Sequence, residues 1–169
     1  VSLPAKPAMP ELDETKDIVL SNDRLTMIVS RETGMISSYV VDGVDMIGDK
    51  AMRLLVIQDN EDPWGMTVNS FRDVIGSFTP MSPERAAQFS GVRASSLPAT
   101  RIVEHGDVIT MVESCLEFEH SSACVQFLFP AEGTEVEVRL NLFWNEKNRM
   151  CKLAVSRDAD LTQVVGQVM

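Results

Sequence analysis

Residues 135–144 alternate apolar and polar side chains more clearly than any other stretch, and this alternation constrains the possible folds most strongly. Successive side chains of a β-strand point to opposite faces of its sheet. One predicted face is apolar and consists of Val136, Val138, Leu140, Leu142 and Trp144. The other face consists of Glu135, Glu137, Arg139 and Asn141, with Phe143 as the exception. The pattern predicts a half-buried strand whose apolar face needs a second layer.

The rest of the second half is typical of the same architecture. Further strands are predicted at residues 100–104, 108–119, 123–129 and 150–156, with turns between them. These strands are predicted to include a four-stranded antiparallel meander with one apolar face. Because that face must be covered, we predict an all-β fold, an antiparallel β-sandwich, and not a parallel α/β sheet.

The first half adds shorter strands and hairpins. Strands are predicted from Leu25, at residues 36–41 and at residues 53–58, with Asp42-Gly43 as a hairpin turn. A short helix is predicted at residues 83–90, because Ser82 is a good N-cap and Pro83 suits the first helical position. Gly91 is predicted to end it.

The chain divides into two predicted parts. Residues 1–17 carry Pro4, Pro7 and Pro10 without periodicity and are predicted to be an extended linker. Residues 18–169 are predicted to be the β-sandwich domain. Val164–Val168 is typical of a strand cut in mid-course, so we expect the domain to be truncated at its C-terminus.

Charge and cysteine content limit the function classes. The net charge is −10 and the fifteen basic residues are scattered, which disfavours nucleic acid and anionic membranes as partners. No apolar run is long enough to span a bilayer, and we expect a cytoplasmic protein. Cys115, Cys124 and Cys151 lie in apolar segments without CxxC spacing, so buried free thiols are predicted. A Cys115–Cys124 disulfide is the alternative.

No residue pattern predicts catalysis by this chain. Glu135 and Glu137 lie about 7 Å apart on one side of a strand, and paired carboxylates serve glycoside hydrolysis. Two acids on a solvent-exposed strand face are, however, ordinary. His105 and His120 lie in turns without the companions that a zinc site needs, and no cofactor is predicted in this chain.

The loop after the strand at residues 53–58 is the best predicted binding site. It combines Asp59 and Asp62 with Trp64, and a sugar site needs a flat apolar face and acceptors for hydroxyl groups. We therefore predict Asp59, Asp62 and Trp64 as substrate-binding residues. The alternative is a turn whose tryptophan packs back onto the core.

Three parts of the sequence resemble the C-terminal β-domain of glycoside hydrolase family 38, the α-mannosidases. Ser21–Ile36 is similar to that domain's opening hairpin, in which an Asn precedes a strand and a TG-I turn. Asp59–Met66 resembles the family's D-P-aromatic loop, although Gly65 stands where many members carry Asp. The E-G-P-(V/L), V-E-V and W-x-E-x-x-x-x-x-K motifs of the family resemble Glu104–Val108, Thr134–Arg139 and Phe143–Ala154.

The resemblance covers roughly residues 18–156. It implies a galactose-mutarotase-like supersandwich and a retaining, metal-dependent hydrolase as the parent protein. The family's zinc ligands and nucleophilic Asp belong to an N-terminal barrel and a helical region. No position here matches them, so zinc or another divalent metal is implied only for the parent.

The resemblance implies a non-catalytic domain that forms one wall of a sugar-binding site and packs on the catalytic barrel and helical region. Its implied partners are a carbohydrate and those two regions, and a fragment that lacks some strands is expected to self-associate. The alternative is a stand-alone carbohydrate-binding or protein-interaction β-sandwich, because a fold does not fix a function.

Overall fold

The computed structural model describes residues 7–10, 13–47, 52–61, 64, 65, 67 and 70–155. Within these residues there are twelve strands and one helix. The strands are β1 (Ile18–Ser21), β2 (Leu25–Val29), β3 (Ile36–Val41), β4 (Val44–Asp45), β5 (Arg53–Gln58), β6 (Val74–Ser77), β7 (Thr79–Pro80), β8 (Thr100–His105), β9 (Ile109–Phe118), β10 (Ser121–Pro130), β11 (Glu137–Phe143) and β12 (Arg149–Ala154). The helix is α1 (Pro83–Ser90).

The strands form three antiparallel sheets. The N-terminal sheet has the order β1-β2-β3-β4, and the small sheet has the order β12-β5-β6. The central sheet contains β11, β10 and β9, with both β7 and β8 paired to the free side of β9. The predicted four-stranded antiparallel meander is present and consists of β8–β11. Strand β12 leaves it and pairs with β5.

Side chains from all three sheets share one core. The buried cluster includes Ile18, Leu25, Met27 and Val29 of the N-terminal sheet, Leu54 and Val56 of the small sheet, and Val112, Leu116, Ala123, Val125, Phe127 and Phe129 of the central sheet. These side chains alternate along their strands with more exposed ones, as the period of two requires. The predicted all-β sandwich is confirmed.

The edge strand β11 behaves as its pattern predicts. Val136, Val138, Leu140 and Trp144 pack against the core, whereas Glu137 and Arg139 are exposed. Leu142 is the exception on the apolar side, because it is exposed at the end of the strand.

Residues 74–80 cross from one sheet to another, which the sequence did not predict. Strand β6 pairs with β5, and two residues later β7 pairs with β9. Between them the buried Phe78 donates its backbone N–H to the Leu54 carbonyl at 2.9 Å. This crossing ties the small sheet to the central sheet.

Helix α1 has the predicted ends. Ser82 Oγ accepts a hydrogen bond from the Arg85 N–H at 3.2 Å, and Pro83 occupies the first turn. Gly91 ends the helix with φ of 67°, in the left-handed region that glycine tolerates. Ala86 packs with Met81, Ala99 and Cys115 on the outer face of the central sheet, so the helix covers part of that face.

Two predicted features concern chain ends that the structure does not fully describe. The strand predicted at Val164–Val168 and residues 1–6, 11 and 12 of the predicted linker lie outside the described residues. Residues 7–10 have no regular secondary structure. In the part of the chain that is described, no helix is long and apolar enough to cross a membrane.

Candidate functional site

The predicted site lies in the connection between β5 and β6, residues 59–73, which we call the β5–β6 loop. Its first residues are held against the turn between β11 and β12. The Asp59 N–H donates to the Asn148 carbonyl at 3.0 Å, and Gln58 Nε2 donates to the same carbonyl at 3.3 Å. At its far end, the Gln58 N–H donates to the Asp73 carbonyl at 3.0 Å. Both ends of the loop are therefore fixed by backbone hydrogen bonds.

Polar side chains also organise the interior of the loop. Asp59 Oδ1 accepts from the Asn60 N–H at 2.7 Å. Asn60 Oδ1 in turn accepts from the N–H of Thr67 at 2.8 Å. Asp59, predicted as a sugar ligand, is half-buried and supports the loop with this oxygen.

Trp64 projects into solvent from this loop. Its side chain is 94% exposed, so the alternative in which it packs back onto the core is wrong. Of the other two predicted ligands, Asp59 lies at the base of the same loop and Asp62 lies outside the described residues. A side chain with this exposure can meet a ligand from solvent through its aromatic face.

The second tryptophan has the opposite environment. Trp144 packs against the core at the end of β11, and its ring centroid lies 6.4 Å from that of Phe78. Phe78 also contacts Phe118, at 6.0 Å between centroids. Trp144 is therefore part of the packed structure, whereas Trp64 is exposed on the surface.

A buried carboxylate fixes the neighbouring turn, and the sequence did not identify its role. Glu146 Oε1 accepts from the backbone N–H of His120 and from Ser121 Oγ, each at 2.9 Å. Only 4% of the Glu146 side chain is exposed. Burial opposes its charge, but the hydrogen bonds from His120 and Ser121 and the nearby Arg149 lower the pKa of Glu146.

Arg149 connects this turn to the turn between β9 and β10 through two ion pairs. Its Nη1 lies 2.7 Å from Glu119 Oε2 and 3.6 Å from Glu146 Oε2. Within the described residues, this buried nitrogen has no aligned hydrogen bond, so both contacts are ion pairs only. The guanidinium carbon lies 5.6 Å from the centre of the Phe118 ring, within the range of a cation–π interaction. Hydrogen bonds and ion pairs therefore connect the turns at residues 119–120 and 144–149, which lie beside the β5–β6 loop.

Glu137, the first residue of β11, does not have the environment of a glycosidase general acid. Glu137 Oε1 accepts from Arg139 Nε at 2.7 Å, and this hydrogen bond lowers the pKa of the exposed Glu137. A general acid for glycoside hydrolysis needs a raised pKa instead.

The histidine His105 is already engaged within the fold, because its Nδ1 is paired with Thr110 Oγ1 at 2.9 Å. Across the described ranges, no three His, Cys, Asp or Glu residues group to hold a metal ion.

No protein-family model matches the sequence, and no curated protein matches it at a significant level.

Proposed function

We propose that the chain is a non-catalytic β-sandwich domain of an α-mannosidase-like glycoside hydrolase, in which the β5–β6 loop forms one wall of the sugar-binding site. The single observation that carries this proposal is the position of Trp64. Its indole is exposed on a loop whose base is hydrogen-bonded to the neighbouring turn. Sugars stack on such flat apolar faces, and a loop base that is already held by hydrogen bonds lowers the entropy lost on binding.

The acceptors that a sugar would need lie on the same loop. Asp59 follows β5 directly, and its carboxylate has a second oxygen besides the one that accepts from the Asn60 N–H. The order of the family 38 motifs supports the same function, because the D-P-aromatic motif falls on this loop and the W-x-E motif supplies Trp144 and Glu146. The supersandwich architecture and the packing on a catalytic barrel and helical region belong to this proposal.

In this proposal, the chemistry belongs to the parent enzyme and its metal. The domain binds sugar and does not cleave it, so we expect no hydrolysis of aryl mannosides by this chain, with or without added zinc. Glu137, whose pKa is lowered, does not supply a general acid.

Sugar titration of a matched pair of variants tests the proposal. We expect mannosides to bind the chain weakly, and Trp64→Ala to lower the affinity about tenfold, the worth of one good aromatic contact. Phe143→Ala is the control, because Phe143 is also an exposed aromatic residue, 65% accessible, but lies on β11. Equal affinity in Trp64→Ala and the wild type contradicts the proposal. Absence of any mannoside binding favours a protein-interaction module.

A further inference from the structure

Cys115 of β9 and Cys124 of β10 stand directly opposite each other in the central sheet. Both side chains point to the outer face, because their neighbours Ser114, Leu116, Ala123 and Val125 face the core. Helix α1 packs over Cys115, and Cys124 is half-buried beside it. Both thiols are free in the structure.

The backbone hydrogen bonds show which kind of cross-strand pair this is. The Cys115 N–H donates to the Ala99 carbonyl at 2.9 Å, and the Cys115 carbonyl accepts from the Met81 N–H at 3.0 Å. Both groups of Cys115 therefore point toward β7 and β8 and away from β10. Cys115 and Cys124 consequently form a non-hydrogen-bonded pair, in which the Cα atoms of opposite residues lie about 4.5 Å apart.

This separation suits a covalent bond between the two side chains. Disulfides span Cα–Cα distances of roughly 4.4–6.8 Å, and side chains approach most closely at non-hydrogen-bonded positions. We propose that Cys115 and Cys124 are an oxidation site at which a small disulfide oxidant forms a cross-strand disulfide.

The third cysteine, Cys151, lies in a different sheet from the proposed disulfide pair. Cys151 lies on β12 of the small sheet, opposite Val56. The pair on the central sheet therefore provides the two thiols that the fold brings together.

An oxidant can reach the pair from solvent. An open pocket of about 550 Å³ is lined by both cysteines and by Phe89, Ser90, Arg101 and Val103 among others. Cys124 is the more exposed of the two thiols, so it is the one that meets the oxidant first.

The reaction balances as thiol–disulfide exchange. Cys124 loses its proton, and its sulfur attacks the oxidant disulfide, which releases one thiolate and leaves a mixed disulfide on Cys124. The Cys115 sulfur, after losing its own proton, attacks the Cys124 sulfur of that mixed disulfide and releases the second thiolate. The two cysteines are oxidised by two electrons, and the oxidant is reduced to two thiols.

The surroundings slow this reaction without preventing it. Burial and the carboxylate of Glu113 raise the pKa of Cys124 to about 12, so little thiolate is present at neutral pH. Arg101 offsets part of this effect, because its Nη2 lies 2.6 Å from Glu113 Oε1. Arg101 Nη1 also contacts Cys115 Sγ at 3.7 Å, a contact that the disulfide sulfur can keep as an acceptor.

Thiol counting in a glutathione redox buffer tests the site. The reduced chain is held in excess oxidised glutathione until the count of alkylated thiols no longer changes, then unfolded, alkylated and weighed by mass spectrometry. We expect two of the three thiols to be lost, with no glutathione retained. Cleavage after Glu117 or Glu119 separates the two cysteines, so non-reduced fragments that remain joined identify the bond.

Single serine variants provide the controls. Cys151→Ser should lose both of its remaining thiols, whereas Cys124→Ser should keep two alkylated thiols or gain a glutathione adduct. Three alkylated thiols in the wild type, a stable glutathione adduct on wild-type Cys124, or a disulfide that includes Cys151 would each overturn the proposal.

Discussion

Glu146 reaches from the turn after β11 to the backbone nitrogen of His120, 2.9 Å away, and so closes the β9–β10 turn with a nearly buried carboxylate. The same oxygen accepts from Ser121 Oγ. One side chain therefore fixes two turns that lie 26 residues apart in the sequence.

This contact predicts a specific loss of stability in acid. The pKa of Glu146 is lowered in the folded chain from its ordinary value of 4.5, so its stabilising contribution is present above that value. The contribution is lost as the pH falls through the folded-state pKa. We expect Glu146→Gln to flatten the fall in the free energy of unfolding below about pH 4.5, measured by urea unfolding. Ser121→Ala, which removes one donor, should flatten it partly. An unchanged pH profile in Glu146→Gln would contradict this role.

The ion pair between Arg101 and Glu113 should matter far more to stability than a matched surface pair. Each of these two side chains is only 16% exposed, and Glu113 also accepts from Gln126 at 2.9 Å. Glu113→Ala leaves a buried guanidinium uncompensated, which we expect to cost about 3 kcal/mol. Glu137→Ala removes an exposed pair with Arg139 and should change the urea midpoint little. Similar midpoints for the two variants would refute this difference.

Gly34 and Gly43 allow the cost of backbone strain to be measured apart from the cost of steric overlap, because both have positive φ but only Gly34 has a close neighbour. Gly34 has φ of 67°, and a Cβ there would lie 2.5 Å from Leu116 Cδ2. Gly43 has φ of 81° but nothing within 4 Å of the same position. We expect Gly34→Ala to lower the free energy of unfolding by about 2–5 kcal/mol and Gly43→Ala by about 1 kcal/mol. Equal losses in thermal or urea unfolding would mean that Leu116 moves aside without cost.

Local sequence patterns predicted the elements whose causes are local. Helix α1 was predicted because its cap, first proline and final glycine lie within ten residues of one another. The Asp42-Gly43 turn was predicted because few residue pairs tolerate positive φ, and both residues adopt it, at 49° and 81°. Alternation predicted β9, β10 and β11 because each strand has one buried face.

Features that depend on contacts between distant parts of the chain could not be predicted from local sequence patterns. The pairing of β12 with β5 joins segments about 90 to 100 residues apart, and no local pattern encodes that choice. Strands β6 and β7 were missed because each is short and they belong to different sheets. The role of Glu146 depends on the docking of two turns. Trp64 was predicted as a possible contact residue, but only the structure shows that it is exposed.

The edges of the small sheet should support self-association. Strand β6 is an edge among the described strands, and its Val74 and Ile75 are 53% and 44% exposed. Such an edge recruits another strand, and the net charge of −10 opposes this only within about 10 Å at ordinary salt. We expect sedimentation equilibrium at micromolar concentration to show a dimer or larger species, and Ile75→Lys to weaken it. A single wild-type species at 18.7 kDa would refute this prediction.

The indole resonances of the two tryptophans test the sugar-binding role of the β5–β6 loop most directly. Trp64 is exposed and Trp144 packs against the core, so the chain contains its own reference signal. In a titration with α-mannosides followed by nuclear magnetic resonance, we expect the Trp64 indole N–H signal to shift in a saturable way while the Trp144 signal stays in place. Trp64→Ala assigns the signals and should abolish the response. A Trp64 signal that does not move at saturating mannoside concentrations, or a shift confined to Trp144, would contradict the proposed function.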